Sequence, residues 1–96
     1  MKFSEALEEC INGKKITRKD WNGKGMYVWF VPPHKVDVIH WKLSVPTKAG
    51  PTEKEIEKGY VELAGHFDMM NAQGIRIIGW LASQTDMTSD QWEVVE

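Results

Sequence analysis

YVELAGHFDMM (Tyr60–Met70), NAQG (Asn71–Gly74) and IRIIGW (Ile75–Trp80) form the stretch whose reading decides the fold. Val61, Leu63, Phe67 and Met69 alternate with Glu62, His66 and Asp68. A period of two puts the first set on one face and the second on the other, so the spacing predicts a half-buried strand over 60–70. Asn and Gly in the next four residues predict a hairpin loop, with 75–80 as the returning partner. Working outward, Met26–Val31 is an apolar, β-rich run ended by Pro32-Pro33, and Lys15–Arg18 and Trp92–Val95 read as short strands. Before them, Phe3, Ala6, Leu7, Cys10 and Ile11 recur at helical spacing, with Ser4 as the expected N-cap and Gly13 as the stop. The sum is α+β: a single domain over 1–96, its N-terminal helix packed on a small antiparallel sheet.

The middle is less regular. Val36–Val45 reads as a further strand broken at Pro46, and Lys48–Pro51 as a loop. Thr52 and Glu55 make a capping box for a short helix stopped by Gly59. The stretch at about 33–59 therefore reads as a variable loop or insertion. Near the C-terminus, Thr88 and Gln91 are expected to cap a single helical turn.

Composition bounds the function. The chain has 96 residues, 42% hydrophobic and 27% charged, with a net charge of −2 and a sequence pI of 5.9. That balance argues against a nucleic-acid polymer as partner but leaves room for a small anionic ligand. Cys10 is the only cysteine, so no intrachain disulfide is possible, and its place on the helix's apolar face predicts a buried, inert thiol. His34, His40 and His66 lack metal-ligand spacing, and no nucleophile-base set or Walker-type loop is present. With no signal peptide or membrane-spanning run visible, the expectation is a cytoplasmic protein. Five tryptophans are many for a domain with so thin a core. A pocket shared between subunits is a reasonable expectation.

Two segments join Trp to short polar side chains. In Arg18-Lys19-Asp20-Trp21-Asn22-Gly23-Lys24-Gly25, an Asn-Gly turn can expose backbone N–H groups beside cations, which makes Arg18, Gly23 and Lys24 candidate phosphate contacts. In Gly79-Trp80-Leu81-Ala82-Ser83-Gln84-Thr85-Asp86-Met87, the indole offers a stacking face, and Ser, Gln, Thr and Asp can read a base edge or ribose hydroxyls. The bland readings stand beside these: a hairpin turn with Trp21 folded onto the core, and a polar loop with Asp86 capping the turn near Thr88.

The helix with Gly13-Lys14-Lys15-Ile16-Thr17-Arg18, the Trp21-Asn22-Gly23-Lys24-Gly25-Met26 turn, and Trp80-Leu81-Ala82-Ser83-Gln84-Thr85-Asp86-Met87 followed by Asp90 and Trp92-Glu93-Val94-Val95 together resemble the second family of Thoeris anti-defence proteins. The middle, from about Pro33 to Gly59, departs from the shorter members, and Gln91 stands where an acidic residue is expected before Trp92. The resemblance implies a phage protein in the host bacterial cytoplasm, without a cofactor or a metal, that sequesters cyclic ADP-ribose-type signals. Some members also take cyclic dinucleotides. It further implies a homotetramer with pockets at subunit contacts. Within the matched motifs, Trp21, Asn22, Trp80, Gln84, Thr85 and Asp86 are the candidate ligand contacts. A non-catalytic binder is the leading expectation; an enzyme cleaving such a signal, or a phage structural or protein-interaction module, are the alternatives.

Overall fold

A computed structural model describes residues 1–44 and 50–96. In chain order it contains α1 (Phe3–Ile11), β1 (Lys15–Arg18), β2 (Tyr27–Val31), β3 (His34–Asp37), α2 (Val38–Ser44), α3 (Glu53–Lys58), β4 (Tyr60–Leu63), β5 (His66–Met70), β6 (Arg76–Ile77), α4 (Gln84–Thr88) and β7 (Trp92–Val95). The fold is α+β, as the alternating and helical periodicities predict. None of the described helices is long and apolar enough to cross a membrane. By its contacts the chain forms two compact units: Met1–Val31 with His66–Glu96, and Pro32–Gly65.

The first unit is an antiparallel five-stranded sheet in the order β6-β5-β2-β1-β7. Register explains its core. Val94, Ile16, Val28, Met69 and Ile77 are successive cross-strand partners, so they form one row on one face. α1 packs on β1, β2 and β7 and brings fully buried Ala6 and Cys10 to the core that holds Ile16, Val28 and Met69. Full burial of a side chain such as Ile16 or Val28 contributes roughly 1.5–3 kcal/mol. Leu7 is half-buried and Ile11 is exposed, so the helix's apolar stripe is narrower than its spacing suggests.

The helix starts earlier than Ser4 predicts. Lys2 occupies the cap position, and its backbone N–H donates to the Glu5 carboxylate at 3.1 Å. The cause lies upstream. The Met1 amino group donates to the Trp92 carbonyl at 2.7 Å, and the Trp92 N–H donates back to the Met1 carbonyl at 3.2 Å. With its first residue tied to β7, the chain turns into helix at once.

The expected strand over 60–70 is two strands. Ala64 and Gly65 separate β4 from β5, and the two pair in different sheets. Only β5 enters the expected hairpin, and its partner β6 is two residues long, not six. The Asn71-Ala72-Gln73-Gly74 loop itself holds. The Asn71 carboxamide oxygen accepts from the N–H groups of Gln73 (3.0 Å) and Ile75 (2.9 Å), and Gly74 has φ +77°. Beyond Ile77 the ladder is diverted by a side chain. Asp68, expected on the polar face, is buried and accepts the Gly79 N–H at 2.7 Å.

The second unit contains the two-stranded antiparallel sheet of β3 and β4, with Val61 buried, and the helices α2 and α3. The expected insertion at 33–59 falls within it. The predicted strand over Val36–Val45 is corrected: the strand ends at Asp37, whose carboxylate accepts the Ile39 N–H at 2.8 Å and so starts α2. Val45, the break at Pro46 and the first part of the Lys48–Pro51 loop lie outside the described residues. α3 carries the predicted capping box, with Glu55 N–H to Thr52 Oγ1 at 3.2 Å and Thr52 N–H to the Glu55 carboxylate at 2.8 Å, and it stops at Gly59 with φ +87°.

Candidate functional site at one end of the sheet

Both motif segments lie in the first unit. β1 ends at Arg18, opposite Trp92 at the start of β7, and Tyr27 at the start of β2 faces Met70 at the end of β5. The 19–26 loop, the 71–74 loop and the α4 segment thus gather at the same end of the sheet.

Trp92 is the hub there. It is fully buried, with ring centroids 5.4 Å from Phe3, 5.3 Å from Trp21 and 6.2 Å from Trp80. Trp21 and Trp80 both meet it edge-on, and Phe67 extends the cluster beyond Trp80 at 6.4 Å. Each such aromatic pair adds roughly 0.5–1.5 kcal/mol beyond area burial. Trp21 and Trp80 are half-buried, so each indole is shared between core and surface. The reading of Trp21 as a ring folded onto the core describes its packing, and part of the ring still meets solvent. Sequence reasoning assigned Trp92 only to a strand. Its alternation with Val94 could have marked it as an inward-facing residue.

Asp86 binds the two motifs to each other. One carboxylate oxygen accepts from Arg18 Nη1 at 2.7 Å and from the Trp21 indole N–H at 3.1 Å. The other accepts the Ser83 N–H at 2.8 Å, and the Asp86 N–H donates to the Ser83 hydroxyl at 3.0 Å. Its main-chain carbonyl accepts the Trp92 indole N–H at 2.8 Å. The capping pair is therefore Ser83 and Asp86 at the start of α4, not Thr88 and Gln91; Thr88 instead bonds the Gln84 carbonyl from the helix's last residue. Burial pushes the Asp86 carboxyl up. Hydrogen bonds from the Ser83 backbone, Arg18, Trp21 and the Ser83 hydroxyl outweigh it, and the group sits below the usual carboxylate range.

Arg18 is equally committed. Nε and Nη2 form a fork on Asp20 at 3.0 and 2.8 Å, while Nη1 holds Asp86. Its side chain is 11% exposed, against 47% for Asp20. The Asp20 carboxylate first, and Asp86 after it, hold the guanidinium firmly protonated.

The remaining candidates divide by exposure. Asn22, Lys24, Gln84 and Thr85 are on the surface, with Thr85 Oγ1 3.0 Å from the Ser83 hydroxyl. Asn-Gly turns readily supply a positive φ, but here it falls on Gly25 at +79° and not on Gly23. Gly23 is needed for space, because a Cβ there would lie 2.6 Å from the Ala72 Cβ. Exposed apolar side chains continue the surface at Ile78 (75%), Leu81 (92%) and Met87 (50%).

A concavity of about 300 Å³ lies elsewhere, in the second unit, lined by Pro33, His34, Lys35, Glu62 and Leu63. It is shallow, and no motif residue lines it. Chemistry and loop convergence favour the indole cluster over that hollow. Among the described residues, no group of three or more His, Cys, Asp or Glu side chains is arranged to hold a metal ion.

A helix-backed antiparallel sheet with an indole cluster and polar loops at one end defines a small α+β domain whose distinctive residues are gathered at that end. The chain belongs to the Thoeris anti-defense 2-like domain family, whose model matches residues 1–95. It is also similar to Thoeris anti-defense 2 of Bacillus phage SP01, at 24% identity over 100 residues that cover 99% of this chain and 94% of that protein. The match runs through both motifs and the intervening unit. It places the chain among anti-defence proteins.

Proposed function

We propose that this chain sequesters a cyclic ADP-ribose-type immune signal without cleaving it, and so blocks a bacterial anti-phage defence. The observation that carries the proposal is the joining of the two motifs through Asp86. It ties part-exposed Trp21, whose neighbour Asn22 is exposed, to the α4 segment that carries exposed Gln84 and Thr85, while part-exposed Trp80 meets the same Trp92 ring as Trp21. Indoles suit a purine, and stacking contributes roughly 1–3 kcal/mol per base. Amide and hydroxyl groups suit ribose and base edges. Membership of an anti-defence family supplies the biological setting, which would be the host cytoplasm.

A sponge needs tight retention; a nanomolar Kd corresponds to about −12 kcal/mol. The site is an open surface on one copy, so enclosure would come from a second copy, in a homotetramer. The exposed Ile78, Leu81 and Met87 beside the site are consistent with that.

The test is direct. Protein is mixed with a glycosidic isomer of cyclic ADP-ribose, free nucleotide is measured, and the mixture is heat-denatured and measured again. Loss followed by return of intact nucleotide supports the proposal. An altered product would make the chain an enzyme, and no loss would remove this ligand class. Light scattering at micromolar concentration should give four times the chain mass; a monomer would end the shared-pocket idea.

A further inference from the structure

We infer that Arg18 is a positioning residue of this site, and that the anionic end of the ligand meets Lys19 and Lys24 instead. The inference rests on the sequestration reading above. An arginine beside an Asn-Gly turn invites assignment as the phosphate contact. The geometry points the other way. All three guanidinium nitrogens already hold carboxylate oxygens, two on Asp20 and one on Asp86. One guanidinium against two carboxylates leaves this group with a net charge of −1. A phosphate brought to Arg18 would meet Asp20 and Asp86 at the same time, and both carboxyls lie below their ordinary range, so neither gives up its charge near neutral pH.

The fork does something else. It spans from the exposed Asp20 to the buried Asp86, and Asp86 also takes the Trp21 indole N–H and caps α4. Arg18 thereby sets Trp21 and α4 in register, which a single ammonium cannot do because it has no planar fork.

Lys19 and Lys24 belong to the same loop, are exposed, and have no ion partner among the described residues. The Lys19 backbone is anchored, its N–H donating to the Gln91 carbonyl at 3.0 Å, and Lys24 follows Gly23, which passes too close to Ala72 to carry a side chain. Two free cations on one loop offer an anion charge that Arg18 cannot.

Calorimetric titration with a glycosidic isomer of cyclic ADP-ribose, at low and high salt, separates the roles. Lys19→Gln combined with Lys24→Gln should weaken binding about tenfold at low salt and much less at high salt, since exposed charges are screened. Arg18→Lys keeps the charge, and should weaken binding by a similar factor at both salts while retaining the wild-type salt slope. Arg18→Lys binding as wild type, or the lysine pair having no effect, overturns the inference. A second measurement needs no variant. Pyrophosphate is titrated into the wild-type protein and followed by side-chain NMR. The Lys19 and Lys24 methylene resonances should shift and the Arg18 Nε–H should stay. Movement of Arg18, or of none of the three, overturns it as well. Should the wild type take up no cyclic ADP-ribose isomer, the sequestration reading fails and the pyrophosphate result alone decides this one.

Discussion

Replacing Asp86 with asparagine keeps the size of the side chain and removes the charge that three donors share. Oδ1 takes Arg18 Nη1 and the Trp21 indole, and Oδ2 takes the Ser83 N–H. An amide can satisfy one side of this arrangement but presents an NH₂ group to the other. The Arg18–Asp86 pair is nearly enclosed, with side chains 11% and 9% exposed, so its loss is costlier than that of a surface pair. With the amide oxygen kept on Ser83, the charge-assisted Arg18 bond is lost and the Trp21 indole N–H is orphaned, which should cost about 3 kcal/mol. For a chain of this length that lowers Tm by on the order of 15 °C. Trp21→Phe, which removes a single donor and keeps an aromatic ring, should cost about 1 kcal/mol. Thermal unfolding followed by far-ultraviolet circular dichroism, at one protein concentration, measures both. The sign of the pH dependence follows from the depressed Asp86 carboxyl. Its contribution is fully present above the unfolded-state value of about 3.9 and is lost as pH falls through the lower folded value. The gap between wild type and Asp86→Asn should therefore close in strong acid. An Asp86→Asn protein that melts within a degree or two of wild type at neutral pH, or a gap that persists in strong acid, would refute the role given to this carboxylate.

Gly23→Ala should lower stability by about 1–3 kcal/mol, because its Cβ would overlap Ala72. Combining it with Ala72→Gly should recover part of that loss in a double-mutant cycle, and strict additivity of the two would count against the steric cause. Burial pushes the Cys10 thiol up to about 11. At mildly alkaline pH it should react with a thiol reagent orders of magnitude more slowly in the native protein than in denaturant; equal rates would place Cys10 at the surface.

Local signals were legible where neighbours in sequence are also neighbours in space. The 52–59 capping box, the Asn71–Gly74 loop and the short strands at 15–18 and 92–95 needed only adjacent residues. The alternation from Val61 to Met69 holds in β4, where Val61 is buried and Glu62 exposed, but fails in β5, where Asp68 is buried beside Met69, and alternation cannot say which sheet a strand joins. One pattern therefore concealed β4 and β5. Val38–Ser44 misled for a related reason: a β-branched start reads as strand, and the Asp37 cap that turns it into helix is a single side-chain contact. At the site, the motifs and their aromatic-polar character could be read, whereas the roles within them could not. Asp86 could be a ligand acceptor or a cap on sequence grounds, and only the convergence of Arg18, Trp21 and Ser83 shows which bonds its oxygens make. Asp68, buried under Gly79, had no local sign at all.

Half-burial of Trp21 and Trp80 links folding to the proposed capture. An indole held edge-on against buried Trp92, and in the case of Trp21 tied by its N–H to Asp86, has already lost most of its rotamer freedom in the folded chain. A ligand that stacks on such a ring does not have to order it, and that is one way a small open site can reach high affinity. The same economy makes loss-of-function mutations ambiguous. Alanine at Trp21 or at Asp86 removes a structural contact together with any binding contact, so lost capture by either variant assigns neither role. Discrimination has to come from side chains with little to hold in the free protein. Asn22, Gln84, Lys19 and Lys24 are exposed, and their side chains make no ion pair or hydrogen bond within the described residues. Alanine or glutamine there should leave Tm within a degree or two of wild type, since surface substitutions of this kind are usually within about 0.5 kcal/mol of neutral. A change in capture at unchanged Tm therefore locates the ligand, and a uniform absence of effect across all four would move the site away from this end of the sheet.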